Sequence, residues 1–459
     1  MNEYIPLTLA AIGLAGAASQ WLAWWVKLPA ILFLLLAGIL AGPVFGLLDP
    51  DALFGDLLLP MVSLAVAVIL FEGSLTLRFE EIRGLEQVVR RLVSIGLLST
   101  WGVTTLAAHW ILDFTWAMAF LFGAVTVVTG PTVIVPMLRT VRPTAHLANI
   151  LRWEGIVIDP LGALLAVLVF ELIVSGLGVS ALGHVLSTFI MILLIGLLLG
   201  ALSGYLLGLA LRRHWLPDYL RNMATLTLVF GVFALSNLLA EESGLLTVTV
   251  MGMWLANTKR VSLEGIIDFK ESLSMLLISG LFIILAARMQ PELLQLLGWG
   301  AVWVFLVMQF IARPLKVMLA TWGSELNWRE RTLLSWIAPR GIVAAAVSAL
   351  FALRLAEQGV EQAVLLVPLT FIVIIGTVTL QSATARLLAN WLGVAEPESK
   401  GFLIVGANPV ARAVGEALCK QGYHALLADA NRANIREARL LGLHTWYGDP
   451  VSNKADRSL

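Results

Sequence analysis

This chain is poor in charge, nearly devoid of cysteine and has no excess of either sign. Only 13% of its 459 residues are Asp, Glu, Lys or Arg, roughly half the share of about 25% in a soluble domain. Lys and Arg together number 30, and so do Asp and Glu. Zero net charge implies no nucleic-acid partner. The single cysteine, Cys419, excludes an internal disulfide. No basic residue precedes the first apolar run at Ile5. A secretory signal peptide needs a positive n-region, so this run is expected to stay as a first membrane span. What the chain has instead is apolar surface. Hydrophobic residues make up 59%, and the mean hydropathy is +0.90. These figures describe an α-helical polytopic membrane protein in a lipid bilayer.

A spanning helix needs about 20 mostly apolar residues. That rule predicts thirteen spans, at 5–26, 28–48, 57–74, 92–112, 115–138, 149–174, 184–211, 221–240, 243–257, 267–288, 297–320, 331–354 and 362–391. Basic residues alternate between the connections. Those after odd spans hold Lys27; Arg78, Arg83, Arg90 and Arg91; Arg139, Arg142 and Arg152; Arg212, Arg213 and Arg221; Lys259, Arg260 and Lys270; Arg329 and Arg331. Those after even spans hold only Arg288 and Arg354. The positive-inside rule then puts the N-terminus outside and the C-terminus in the cytoplasm, in an inner (plasma) membrane. Span 7 carries Gly196, Gly200, Gly204 and Gly208 at four-residue spacing. This stripe permits close helix approach, either within the protomer or across a dimer seam.

The composition changes after residue 392. Residues 393–400 read as a polar linker. Residues 401–459 alternate strand and helix patterns, as at the start of a dinucleotide-binding α/β fold. Its loop reads Gly406-Ala407-Asn408-Pro409-Val410-Ala411, with one glycine where such loops have three. Asp429 ends the second strand, where a ribose-binding acid belongs. Gly406, Asn408 and Asp429 are therefore the candidates for a weak nucleotide site, for NAD(H) or ATP/AMP, with no tightly bound cofactor expected; the stretch reads at least as well as a structural remnant that binds nucleotide poorly or not at all. The pattern covers about half of such a domain, which predicts a truncated chain.

Inside the membrane part, Thr129-Gly130-Pro131-Thr132 breaks span 5. Proline removes a donor and clashes with the preceding turn, and glycine weakens the helix beside it. Freed carbonyls at membrane depth are tolerated only inside protein or beside a water-filled cavity. There they can coordinate a cation, helped by the hydroxyls of Thr129 and Thr132. Alone, this reads first as a simple proline kink, common in membrane helices. Span 12 holds a second breaker, Pro339-Arg340-Gly341. Spans 5 and 12 are an odd number apart, so the copies run oppositely. Paired interrupted helices in inverted repeats, here spans 2–6 and 9–13, point to a transport site at the midplane.

Span 6 supplies Glu154 and Asp159. Charges in hydrocarbon cost about 2.5–3.5 kcal/mol on insertion scales and mark ion paths. Asp159 lies ~10 Å deeper than Arg152 along the helix, and is the candidate ligand for a monovalent cation and a proton. Glu154, nearer the cytoplasmic edge, is either half of a structural pair with Arg313 in span 11 or a direct ligand. Glu72 ends span 3 as a gating charge or a snorkelling interfacial residue. No filter-like run of carbonyls suggests a channel. An organic-anion carrier finds only Arg313 and Arg340 as cations near the midplane. No enzymatic activity is expected.

These residues resemble the monovalent cation:proton antiporter family, in its NhaP-like sodium/proton exchanger branch. The likeness covers spans 1–13. That branch has Thr-Asp-Pro in span 5, Glu-Ser or Glu-Gly followed by Asn-Asp in span 6, an Arg in span 11 and Arg-Gly in span 12. Carried over, Asp159 is the ion-binding aspartate, Glu154 the paired glutamate, Arg313 its partner and Arg340 the span 12 arginine. Two positions depart from this pattern. Gly130 stands where the branch has Asp, and Ile158 where it has Asn. The tail resembles the start of the RCK/TrkA-N domains that regulate potassium transport systems, which brings potassium in beside sodium. The resemblance implies a homodimer working by alternating access, with electroneutral exchange of one Na+ or K+ for one H+ and a role in pH homeostasis. The rival within the fold is nucleotide- or redox-gated potassium efflux.

Overall fold

The computed structural model describes residues 5–26, 28–175, 179–258, 264–289, 291–396 and 401–449. Lys27, Lys259 and Arg260 of the charge alternation lie outside the described residues. So do residues 397–400 of the expected linker and 450–459 of the tail. The chain divides into two compact units, residues 1–395 and 396–459.

Among its described residues, the first unit is built mainly of helices. Its main helices are α1 (Ile5–Val26), α2 (Ala30–Ile39), α3 (Leu58–Leu75), α4 (Ile95–Leu112), α5 (Trp116–Thr126), α6 (Pro131–Val141), α7 (Ala145–Ser175) and α8 (Val179–Arg212). Then follow α9 (Asp218–Leu239), α10 (Ser243–Ala256), α11 (Glu264–Ala287), α12 (Pro291–Val307), α13 (Arg313–Ala320), α14 (Trp328–Trp336), α15 (Ile342–Glu357) and α16 (Leu366–Leu392). Among the described residues, eight helices are long and apolar enough to cross a bilayer. A ninth arises if α5 and α6, bent by 46° at their break, count as one span. Three shorter apolar helices, Ala30–Val44, Ser243–Ala256 and Ser272–Ala287, fall below that length. The protein is thus an integral membrane protein.

The helices pack as two bundles. One contains α1–α3 and α8–α11, the other α4–α7 and α12–α16, with α7 and α15 packing across to the first. The glycine stripe of α8 faces α10 within the protomer. A Cβ on Gly196 would lie 2.6 Å from Leu246, on Gly200 2.6 Å from the Thr247 carbonyl, and on Gly204 2.8 Å from Trp254. Small residues there let the two backbones approach, so the stripe is used for internal packing.

The second unit is a parallel three-stranded sheet in the order β1 (Gly401–Val405), β2 (His424–Asp429), β3 (His444–Tyr447), linked by α17 (Pro409–Lys420) and α18 (Arg432–Leu440). Ala425, Leu427, Ile435, Ala438 and Leu443 form its small core.

Candidate cation site

The two helix breaks meet. After α5, residues 127–130 leave the helix, and Pro131 opens α6, where its missing N–H costs nothing. After α14, residues 337–341 are likewise non-helical before α15. The Gly130 N–H donates to the Pro339 carbonyl at 3.0 Å. A Cβ on Gly130 would sit 2.4 Å from the Gly341 Cα, and one on Gly341 2.5 Å from the Gly130 Cα. Only glycine at both positions allows this backbone-to-backbone crossing. Arg340 completes it, donating from Nη1 to the Val127 carbonyl at 2.8 Å and the Val128 carbonyl at 3.0 Å. Its charge lies at the C-terminal end of α5, the negative pole of that helix.

α7 passes beside the first break. Gly155, Asp159 and Gly162 share one face at helical spacing. A Cβ on Gly155 would lie 3.7 Å from the Thr129 carbonyl, and one on Gly162 2.3 Å from Val128. The glycines let α7 close onto residues 128–129, with Asp159 between them in sequence and on the same stripe. Asp159 is fully buried. Both of its carboxylate oxygens, Thr129 Oγ1 and Thr132 Oγ1 are buried without a hydrogen-bond partner. Thr132 Oγ1 stands 3.4 Å from the Cβ positions of both crossing glycines.

Glu154 is also fully buried but is saturated. The Arg313 guanidinium grips it with two nitrogens, Nη1 on Oε1 and Nη2 on Oε2, the latter at 3.0 Å. Arg313 Nε donates to the Leu334 carbonyl at 2.9 Å, so one side chain ties α7 to the end of α14. A third cation was missed by sequence reasoning: Lys316 Nζ lies 2.6 Å from Glu154 Oε1, with its side chain 2% exposed. This corrects the expectation that Arg313 and Arg340 are the only cations near the midplane. The sequence signal was its spacing, three residues after Arg313 and hence on the same helix face. Gly96 makes room for it, since a Cβ there would meet the Lys316 stem at 2.8 Å.

Glu72 lies in the last turn of α3, half-buried and engaged within the protein. Its neighbour Gly73 faces Ile156 of α7. The candidate nucleotide residues belong to the second unit and have local partners. Gly406 adopts φ +99°, a conformation that favours glycine. Asn408 caps α17 by accepting from the Ala411 N–H at 2.9 Å. Asp429 accepts from the Asn431 N–H, the Asn434 side chain and the Ala407 N–H, at 2.8, 2.9 and 2.8 Å. These donors hold its carboxyl below the usual range. They also fill three of its about four acceptor positions.

Interrupted helices meeting beside a buried carboxylate are the arrangement of a secondary ion transporter. A family model described as "Sodium/hydrogen exchanger, transmembrane" matches residues 8–391, and the chain belongs to that family, one of transporters and not of enzymes. The match ends before the C-terminal unit. The Na(+)/H(+) antiporter 1 of Methanocaldococcus jannaschii is 25% identical over 85% of this chain and 95% of its own length. The K(+)/H(+) antiporter NhaP of Alkalimonas amylolytica is 26% identical over 87% of this chain and 69% of its own. The solved structure of the M. jannaschii sodium proton antiporter at pH 8 superposes with a TM-score of 0.72, at 24% identity, covering 85% of this chain and 99% of that one. This likeness establishes the fold.

Proposed function

We propose that the chain is a secondary active antiporter that exchanges Na+ or K+ for H+, one for one and without net charge movement. The observation that carries this reading is Asp159, fully buried with neither oxygen hydrogen-bonded, on the stretch of α7 whose glycines pack on residues 128–129, where the buried Thr129 and Thr132 hydroxyls also lack partners. A buried carboxylate without a partner is strongly disfavoured as a bare anion. A proton or a monovalent cation relieves that cost, and the two compete for one site. Thr129 and Thr132 supply the neutral oxygens of the cation form. Ile158 and Gly130 cannot titrate, and Glu154 is engaged by Arg313 and Lys316. Asp159 alone is left to cycle, so the loaded forms carry equal charge.

The thirteen apolar stretches fit thirteen spans, with the N-terminus outside and the C-terminus in the cytoplasm by loop charge. In this reading the bundle that carries the crossing moves against the other to alternate access, and two copies form a homodimer as the family resemblance implies. Sodium and potassium both appear among the relatives' names, and both stand as substrates. An organic anion is disfavoured because Arg313, Lys316 and Arg340 all have partners already. Purified protein in proteoliposomes with an imposed pH gradient tests this. Adding Na+ or K+ should collapse the gradient, and an organic anion should not. An imposed membrane potential without a pH gradient should move no protons. Proton flux that follows the sign of the potential would show a second titrating group.

A further inference from the structure

The break between α14 and α15 is spanned by a relay of two buried glutamines that the exchange reading does not use. Gln309 Nε2 donates to the Trp336 carbonyl at 3.0 Å. Gln309 Oε1 accepts from Gln381 Nε2 at 2.8 Å. Gln381 Oε1 accepts from the Ala338 N–H at 3.0 Å. Both residues are almost fully buried, at 3% and 0% exposure. The relay therefore runs from a carbonyl left by the end of α14 to an N–H two residues on. It replaces, through side chains, the bonding that an unbroken helix would make for itself. Each amide has a donor and an acceptor partner, which fixes both orientations.

Each glutamine is presented by a specific local device. Gln309 lies in a π-helical turn, Met308–Ala312, between α12 and α13. That wider turn puts Gln309 and Arg313 together against the end of α14, one on the Trp336 carbonyl and the other on the Leu334 carbonyl. Such turns recur at functional sites. Gln381 belongs to a polar stripe on α16, Thr377, Gln381 and Thr384, at helical spacing. Thr377 Oγ1 accepts from the Arg340 N–H at 3.2 Å, and Thr384 Oγ1 from Trp336 Nε1 at 2.8 Å. The stripe follows the non-helical segment along its length.

We infer that Gln309 and Gln381 are positioning residues for the transport reaction: their relay holds the second break in place, and with it Gly341 and Arg340 against the first. The inference rests on the exchange reading above. Neither glutamine is assigned contact with the ion. Their effect reaches it through Pro339, Arg340 and Gly341, which bond or touch residues 127–130.

The test is a double-substitution cycle in proteoliposomes, reading the apparent KM and kcat for Na+ and K+ separately. Gln381→Leu should fold, by monodisperse elution and thermal melting, yet raise the cation KM about ten-fold or more, since small misplacements near a site are costly. Gln309→Leu should do the same. The double variant should add less than about two-fold to either, because both break one relay. If Gln381→Leu does not fold, Gln381→Asn decides. It stays polar and uncharged but is one methylene too short to hold both partners, and should show the same raised KM. A folded variant with wild-type KM overturns the inference, as do effects that multiply independently. Wild-type protein that exchanges neither cation would instead count against the exchange reading itself.

Discussion

At the break between α5 and α6, one guanidinium takes the two freed carbonyls of Val127 and Val128, and the remaining side-chain oxygens, those of Thr129 and Thr132, have no partner. At the break between α14 and α15, Leu334, Trp336, Ala338, Pro339 and Arg340 each have a backbone group bonded to Arg313, Gln309, Gln381, Gly130 and Thr377 respectively. Both segments face the same problem, unpaired backbone in a low-dielectric interior. In the second, each of these five groups has a protein partner. The first keeps unpaired oxygens, and the stretch of α7 packed on it carries the unpaired carboxylate of Asp159. In the proposed mechanism the second break is the frame and the first is the surface that an exchanging ion meets. Arg340 joins the two roles, since its backbone belongs to the frame and its guanidinium to the other break.

The same contrast holds between the carboxylates of α7. Glu154 has three nitrogens from two cations and Asp159 has none. The largest stability effect is therefore expected at Glu154. Glu154→Ala strands both Arg313 and Lys316 and should cost about 3–5 kcal/mol or more, the range for breaking a buried pair. Arg313→Ala should cost less, because Lys316 still neutralises the glutamate. Thermal melts of both single variants and the double variant measure this. A double variant more stable than Glu154→Ala is expected, and strictly additive losses would mean that the two do not act as a pair.

A smaller effect is expected at the crossing itself. Gly341→Ala places a Cβ 2.5 Å from the Gly130 Cα, where ordinary contact begins at 3.4 Å, and that backbone cannot rotate away as a side chain can. Overpacking of this kind costs about 1–3 kcal/mol. Exchange should fall further than stability does, because the displaced atoms adjoin Thr132. An alanine variant with full exchange would show that the close approach is incidental.

Much of this was legible in the chain because the bilayer demands it. Helix fills most of the thirteen predicted stretches, with breaks at 127–130 and 337–341, and eight or nine of the described helices are long and apolar enough to cross a bilayer, where lipid leaves an apolar helix to satisfy its own backbone. Gly130-Pro131 and Pro339-Arg340-Gly341 announced the breaks by removing donors and side chains. The pairing of Glu154 with Arg313 was one of two readings open in the chain, beside direct ligation of the ion, and the two side chains do meet. Other features were hidden for physical reasons. Lys316 sits near the end of an apolar run, where a lysine ordinarily snorkels outward, and only the tertiary fold turns it onto Glu154. Gln309 and Gln381 are 72 residues apart in sequence, and a lone glutamine in an apolar helix carries no signal of its partner. The stripe of Thr377, Gln381 and Thr384 was the one local clue. The glycines of α8 read from sequence as packing within the protomer or as a dimer seam, and α10 packs against them within the protomer.

In the proposed exchange, Asp159 is the group that alternates between proton and cation. Asp159→Asn keeps the shape and removes the exchangeable charge, so the protein should fold and elute as the wild type does. In proteoliposomes with a pH gradient, the account predicts that neither Na+ nor K+ moves protons through this variant. Cation-dependent proton flux that persists in folded Asp159→Asn protein would contradict it.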